Sequence, residues 1–460
     1  MEEKAYPIKI GLEVHGYLDT VEKLFCKCST NSDDKQNTHI CPICTGTPGS
    51  KPMAPNEEAI KKIVQIASVF DSKINTENVV WQRKHYDWAD NPKGYQNTIS
   101  GAHATTNAVG GKFKGINITE LHLEEDPAQW NPETGRISYN RSGLPLVEIV
   151  TEPEFSDAEQ VIDWLKSLLL SLSYIKAVRK NAGIKVDVNV STYGERVEMK
   201  NINSLEKIKN ALDYEILRQI ENYEKGIEQR RETRAYDDKK GITTKMRDKE
   251  NAADYRFIPD PDLPTIKIDS KLIKEIQNSI PEMPEVKLEK LLKKHNVDEK
   301  NAKILTKNLE LVEFFEELIN EGIDIKKGLS WVTIELLRVL NYNKKTLEDE
   351  DVEILPSHLA ELIKAANEDK ITVLKAKQIM NDFVPKSFSL AKHSEEVSNI
   401  SEDAVENLCK QVIDENVHVV DEYKNGKAAS LNFLIGQVMR LSSRRADFKS
   451  VTEIMKRLIE

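Results

Sequence analysis

The hydrophobic period of the chain changes once, and that change limits what it can fold into. Before the proline-rich stretch FIPDPDLPTIKID, apolar residues recur at every second position in short runs: IKIGLEVHGYL, INITELHLEE, LPLVEIV, IKVDVNV and RVEMKNI. Period two marks strands with one buried face. Beyond it, NLELVEFFEELINEG and PSHLAELIKAANED repeat as helices do. At 460 residues the chain also exceeds what one core serves. The expected organisation is a mixed α/β domain over 1–268, an all-α domain over 269–395 and a small helical module over 396–460. The polar stretch SFSLAKHSEEVSNISED, at about 387–403, reads as the connector. Two helices interrupt the strands. One is expected from about Ala158 to Leu172, with Ser156 and Glu159 in capping-box spacing; the other starts after Ser204 and stops before Gly226.

No apolar run approaches the roughly 18 residues of a membrane span. The opening MEEKAYPIKI lacks the pattern of an export signal, which predicts a cytoplasmic, reducing location. Basic residues number 66 against 76 acidic, a formal charge of −10, which argues against a wholesale electrostatic nucleic-acid binder. A local patch remains open: the last forty residues hold eight basic side chains against five acidic ones.

Four of the five cysteines fall within CKCSTNSDDKQNTHICPIC, as Cys26, Cys28, Cys41 and Cys44. In a reducing compartment such spacing points to metal before disulfide, and two thiolate pairs bridged by a polar loop suit tetrahedral zinc. Four thiolates fill every position, so the zinc is expected to hold a loop rather than do chemistry. His39, two residues before Cys41, is the weaker candidate ligand. Cys409, among apolar helical positions in AVENLCKQVI, reads as a buried structural thiol.

Strand alternation carries a second signal, because residues i and i+2 share a face. It separates Glu13 and His15 from Leu12 and Val14, and Glu120, His122 and Glu124 from Leu121 and Leu123. It also separates Lys185, Asp187 and Asn189 from the valines of IKVDVNV, and Glu198 and Lys200 from Val197 and Met199. Glu148 lies inside the apolar LPLVEIV and needs a partner or a metal. A one-sided sheet with a solvated outer face accounts for any single strand. Several carboxylates with an imidazole also suit Mg²⁺ or Mn²⁺, with Lys200, Asn201 and Asn203 available to phosphate oxygens.

At these same residues the sequence resembles the B subunit family of aspartyl/glutamyl-tRNA amidotransferases. The resemblance rests on GLEVH at 11–15, LFCKCS at 24–29, CPICTGTPGS at 41–50, DNPKGYQ at 90–96 and LHLEED at 121–126. It continues through RSGLPLVEIVTEPE at 141–154, KNINS at 200–204, DYRFIPDPDLP at 254–264 and DEYKNGKAASLNFLIGQVMR at 421–440. These motifs run collinearly over essentially the whole chain, without room for the domain inserted in the longer archaeal E type.

The resemblance implies an α+β multidomain fold: a mixed or antiparallel-sheet cradle with a zinc knuckle, a helical domain and a tRNA-binding tail. It implies an ATP-dependent carbon–nitrogen ligase acting on glutamate or aspartate misacylated onto tRNA(Gln) or tRNA(Asn). The side-chain carboxylate is phosphorylated with ATP and Mg²⁺ (or Mn²⁺), and ammonia then displaces phosphate. Glu13, His15, Glu124 and Glu198 would form the metal and kinase centre, with Glu148 as a further ligand, Lys200 catalytic and Asp187 beside Asn201 and Asn203 at the substrate. Lys84 and Tyr86 match the segment lining an ammonia passage, with Glu125 near its outlet. Lys424, Lys427, Arg440, Arg444 and Arg445 would contact tRNA. The chain carries no glutaminase signature and no P-loop, so an amidase A subunit and a small C subunit are the implied partners. The alternative is a zinc-stabilised tRNA-binding subunit without an active centre of its own.

Overall fold

The computed structural model describes residues 6–32, 34–101, 103–180, 183–248, 255–390 and 400–459. The chain forms two compact units that divide between Met283 and Pro284. The first is built on one large, twisted sheet. Its principal strands are β1 (Lys9–Tyr17), β2 (Gln82–His85), β3 (Tyr95–Thr98), β4 (Ile116–Glu125) and β5 (Pro145–Thr151). The set continues with β6 (Ile184–Ser191), β7 (Val197–Ile202), β8 (Glu232–Asp237), β9 (Ile242–Asp248) and β10 (Arg256–Pro259). Their spatial order is β9-β8-β7-β6-β1-β5-β4-β3-β2-β10, and every adjacent pair is antiparallel except β7 with β8.

Helices cover one face of this sheet. They are α1 (Glu57–Val69), α2 (Ala158–Tyr174), α3 (Leu205–Glu224) and α4 (Ser270–Ser279). The alternating apolar residues of the strands bury there: Ile10, Leu12 and Val14 of β1, Val186, Val188 and Val190 of β6, and Leu121 and Leu123 of β4 share one core with Val161, Leu165, Leu168 and Leu172 of α2. The sheet therefore has a dry side, and its other side is left to polar groups.

Local chemistry sets the helix ends. Asp157, rather than Ser156, caps α2 by accepting from the backbone N–H of Gln160, and the Gln160 side chain in turn accepts from the N–H of Ser156. The cap is thus displaced by one residue from the Ser156–Glu159 spacing, which aspartate allows because it caps as well as serine does. Ser204 caps α3, and Gly226 follows its end with φ +72°. The period change at residue 268 does not end the first unit: α4 lies beyond it, caps on Asp269 and packs on α1 through Ile276.

The second unit is helical. Helices α5 (Pro284–Lys293), α6 (Glu299–Leu305), α7 (Leu309–Asn320) and α8 (Ile325–Ser330) lead into a π-helical turn, Trp331–Leu336, and then α9 (Leu337–Tyr342), α10 (Pro356–Asn367) and α11 (Val373–Asn381). The remaining helices, α12 (Glu402–Glu415), α13 (Val417–Lys424), α14 (Ala429–Leu441) and α15 (Phe448–Ile459), enclose their own core of Val405, Cys409, Val412, Leu434, Val438, Val451 and Met455. Cys409 is fully buried in it. Residues 391–399 of the polar connector, like Asn201's side chain, lie outside the described residues.

Candidate active site

The antiparallel register assembles the polar alternation of four strands into rows. His15 of β1 stands opposite Lys185 of β6 on one side and Glu148 of β5 on the other, and Glu148 stands opposite His122 of β4. In the next row Glu13 is opposite Asp187, and in the row on the other side Leu146 is opposite both Tyr17 and Glu124. Directly opposed side chains emerge on the same face, about 5 Å apart. Residues far apart in sequence, Glu13 and Asp187 among them, therefore converge on the side of the sheet that the helices leave uncovered.

Two groups on this face have the spacing of cation ligands. Glu13, His15 and Asp187 offer atoms within 4.8 Å of one another, and so do His15, Glu124 and Glu148. His15 Nδ1 lies 3.9 Å from Glu124 and 3.8 Å from Glu148. Behind them, His122 Nε2 bonds Glu148 at 2.9 Å and its Nδ1 faces Glu120 at 3.4 Å. Burial and the Glu148 charge both push the Glu124 carboxyl above its ordinary range, and burial followed by Glu148 and Asp187 does the same to Glu13. Burial also disfavours charge on Glu148 and His122, but their mutual attraction outweighs it. Glu148 is held well below the usual carboxylate range, and His122 is pushed up to about 10. The donor set of carboxylates and one imidazole, with the Glu13 and Glu124 carboxyls held above their ordinary range by burial and neighbouring negative charge, fits a hard divalent ion.

Other predicted residues take different positions. Lys200 is bracketed by Asp187 at 2.8 Å and Glu198 at 3.0 Å, and Thr233 donates to Glu198 at 3.1 Å. Glu198 therefore serves Lys200 and lies outside both cation groups, because β7 is a strand further from His15. Asn189 donates to Glu13 at 3.1 Å. Asn203 is exposed at the entry to α3. Glu125 faces away from Glu124. It is buried, ion-paired with Lys93, and accepts the backbone N–H of Asn97 at 2.9 Å. Lys84 Nζ sits 4.7 Å from the ring centre of Tyr255, against which Tyr86 packs edge-on. Burial and the Asp90 charge raise the Tyr86 phenol, so it stays protonated.

Two further clusters were not expected from the sequence. Asp260, with a fully buried side chain, receives Arg83 at 2.9 Å and Asn97 at 2.6 Å. Tyr17 donates to Asp126 at 2.6 Å, and Arg141 pairs with Asp126 at 2.9 Å. The repeated acids of LHLEED and PDPD were the available signal for both.

The four cysteines of the 26–44 loop form a third group, all Sγ atoms within 4.8 Å and those of Cys41 and Cys44 at 3.9 Å. Four thiolates around a tetrahedral zinc at about 2.3 Å stand about 3.8 Å apart, so the residues fit that ion. His39 instead bonds Asp34 at 2.5 Å. The loop is tied to the turn between β4 and β5: Ser142 Oγ donates to the Cys44 carbonyl at 2.7 Å, and Lys23 to the carbonyls of His39 and Tyr139. Gly46, at φ +65°, has no room for a Cβ, which would lie 2.5 Å from the Pro92 carbonyl oxygen.

Residues 8–274 match the GatB/GatE catalytic domain, and residues 313–459 match the GatB domain. The chain belongs to the GatB/GatE family. It is 41% identical to the B subunit of the aspartyl/glutamyl-tRNA(Asn/Gln) amidotransferase of Methanocaldococcus jannaschii, with 98% of each chain covered. The corresponding B subunits of Methanosphaera stadtmanae and Methanobrevibacter smithii are 38% and 40% identical, each over 98% of this chain and 99% of theirs. The family's catalytic domain thus spans the whole sheet and its candidate face.

The buried pair gives this face a pH signature. His122 binds its proton more tightly folded than unfolded, so its contribution is complete below its ordinary pKa of 6.5 and is lost as pH rises through about 10. Glu148 contributes above its ordinary 4.5 and loses that only in acid. In magnesium-free buffer the stability difference between wild type and His122→Asn, measured by urea unfolding, is expected to be roughly 3–5 kcal/mol near pH 6 and to shrink steadily towards pH 10. A difference that stays flat across that window contradicts the pairing.

Proposed function

We propose that the chain acts as the B subunit of a glutamine-dependent amidotransferase that converts Glu-tRNA(Gln), Asp-tRNA(Asn) or both to the amidated forms. The observation that carries this reading is the convergence of Glu13, His15, Glu124, Glu148 and Asp187 on one face of the sheet, in a chain similar from end to end to subunits of that name. In this reading the sheet domain, 1–268, does the phosphorylation and transamidation. The helical part, 269–395, joins it to a tRNA-binding tail, 396–460.

The chemistry requires activation, because oxide is a poor leaving group for ammonia to displace from a carboxylate. An oxygen of the substrate carboxylate attacks the γ-phosphorus of ATP, its bond to the ADP oxygen breaks, and an acyl phosphate forms. Ammonia then adds at the acyl carbon, phosphate leaves, and the nitrogen releases a proton to give the amide. A divalent cation held by Glu124, His15 and Glu148, or by Glu13, His15 and Asp187, would neutralise phosphate oxygens during the first transfer. The protein's own groups do the rest. The His122–Glu148 pair fixes the orientation of one ligand, and Asn189 does so for Glu13. Asp187 and Glu198 hold Lys200 in place.

Ammonia would enter past Lys84 and Tyr86, with Glu125 and its Lys93 partner at the far side of β4. An amidase A subunit and a small C subunit would supply and steady it. The cysteine cluster would carry structural zinc, bracing the β4–β5 turn through Ser142 and Lys23. On the tail, Lys424, Lys427, Arg440 and Arg444 are exposed and Arg445 half-buried, Lys427 being ion-paired with Glu422 at 2.9 Å. They would meet phosphates on a chain whose net charge discourages indiscriminate RNA binding.

Glu124→Ala, assembled with A and C subunits and given labelled ATP with misacylated tRNA, is expected to form acyl phosphate at least 100-fold more slowly, on the order of a lost electrostatic contact to the transition state. Undiminished formation would sink the assignment. Cys44→Ser is expected to lose bound zinc by metal analysis and to lower the melting temperature. Full activity surviving removal of zinc with an unchanged melting curve would count against the bracing role.

A further inference from the structure

Lys200 was the expected phosphate contact, yet two carboxylates already bracket it, Asp187 at 2.8 Å and Glu198 at 3.0 Å. An acidic face that is to receive a triphosphate needs a cation that the protein has not already neutralised. Lys185 meets that need. It stands directly opposite His15, in the row that continues through Glu148 to His122. Among the described residues, no carboxylate oxygen lies within 4.0 Å of its ammonium. Asp90 is within its electrostatic reach but beyond ion-pair contact.

What holds Lys185 is a neutral group. Its Nζ donates to Tyr17 Oη at 3.3 Å and lies 5.6 Å from the centre of the Tyr17 ring. The Tyr17 hydroxyl gives its own proton to Asp126 at 2.6 Å, so a lone pair is left facing the lysine. Asp126 is fixed in turn by Arg141, which also donates to the carbonyls of Pro127 and Ala128. The ammonium is thus positioned without being neutralised, and among the described residues Tyr17 takes one of its three N–H donors, which leaves two for a ligand.

We propose that Lys185 binds oxygens of the transferred phosphoryl group, beside the cation ligands around His15, with Tyr17 and Asp126 as positioning residues. This rests on the kinase reading above and adds the residue that handles the phosphate. Lys200 then keeps Asp187 and Glu198 in place rather than touching phosphate.

The test uses the complex assembled with its partner subunits. Affinities for a non-hydrolysable ATP analogue and for AMP are measured by calorimetry, alongside kcat and KM for ADP formation with misacylated tRNA. Lys185→Ala is expected to weaken the analogue roughly 10- to 100-fold, as loss of a charge-assisted contact does, while AMP binding is unchanged. Lys185→Arg should restore part of this loss. Tyr17→Phe, which keeps the charge but removes its holder, should fall between Lys185→Ala and wild type. Unchanged analogue affinity and kcat/KM in Lys185→Ala, with wild type forming ADP, would overturn the lysine assignment alone. Equal loss of AMP binding would overturn it too, by showing a general disturbance of the site. A wild-type complex that amidates without forming ADP would overturn the kinase reading and the lysine with it.

Discussion

The register that sets His15 against Glu148, and Glu148 against His122, is the constraint on which the rest of the face depends. A shift of one residue between β1 and β5 would turn Glu148 into the core and Val147 or Ile149 out of it. The apolar side forbids that slip, because α1, α2 and α3 bury the alternate residues of the same strands. Hydrophobic packing on one side of the sheet therefore fixes where charges stand on the other. The His122–Glu148 pair then makes charge tolerable at a place where burial opposes it, and leaves Glu124 and Glu13 short of positive charge.

The cysteine loop is the most conspicuous motif in the sequence, yet it stands beside this arrangement rather than within it. Its contacts run to Tyr139, Ser142 and Gly143, in the turn that joins β4 to β5. The close approach of Gly46 to Pro92 ties the same loop to the segment carrying Lys93, the ion-pair partner of Glu125. A metal there would stiffen the support on which Glu124, Glu125 and Asp126 are mounted. No thiol lies in either cation group on the sheet face.

The long strands and helices α2 and α3 were legible because their apolar periods are strong: GLEVH, ITELHLEED and IKVDVNV each separate a buried from a polar side. Helix α1, Glu57–Val69, was not foreseen, although it buries Ile63, Val64, Ile66 and Ala67. The shorter strands QRKH, YQNT, ETRAYD and RFIP were not. They are polar, and pairing with neighbours rather than their own patterning makes them strands. Strand order was equally hidden. It decides that Glu198, one strand further out, meets Lys200 and Thr233 instead of His15. It also decides that Lys185, unremarkable in IKVDVNV, stands in the central row. Helix α4 belongs to the sheet unit although the change of period precedes it, because a helical period says nothing of what the helix packs against; Ile276 meets Val64 of α1.

In the proposed reading, function at this face turns on His15 joining the carboxylates around one divalent ion, with His122 held back as the partner of Glu148. Pulsed electron paramagnetic resonance of the assembled complex loaded with Mn²⁺ tests this most directly, since it registers imidazole nitrogen bound to the metal. The predicted result is a single histidine nitrogen coupling that disappears in His15→Gln and survives in His122→Asn. Bound Mn²⁺ without nitrogen coupling, or a coupling that persists in His15→Gln, would contradict it.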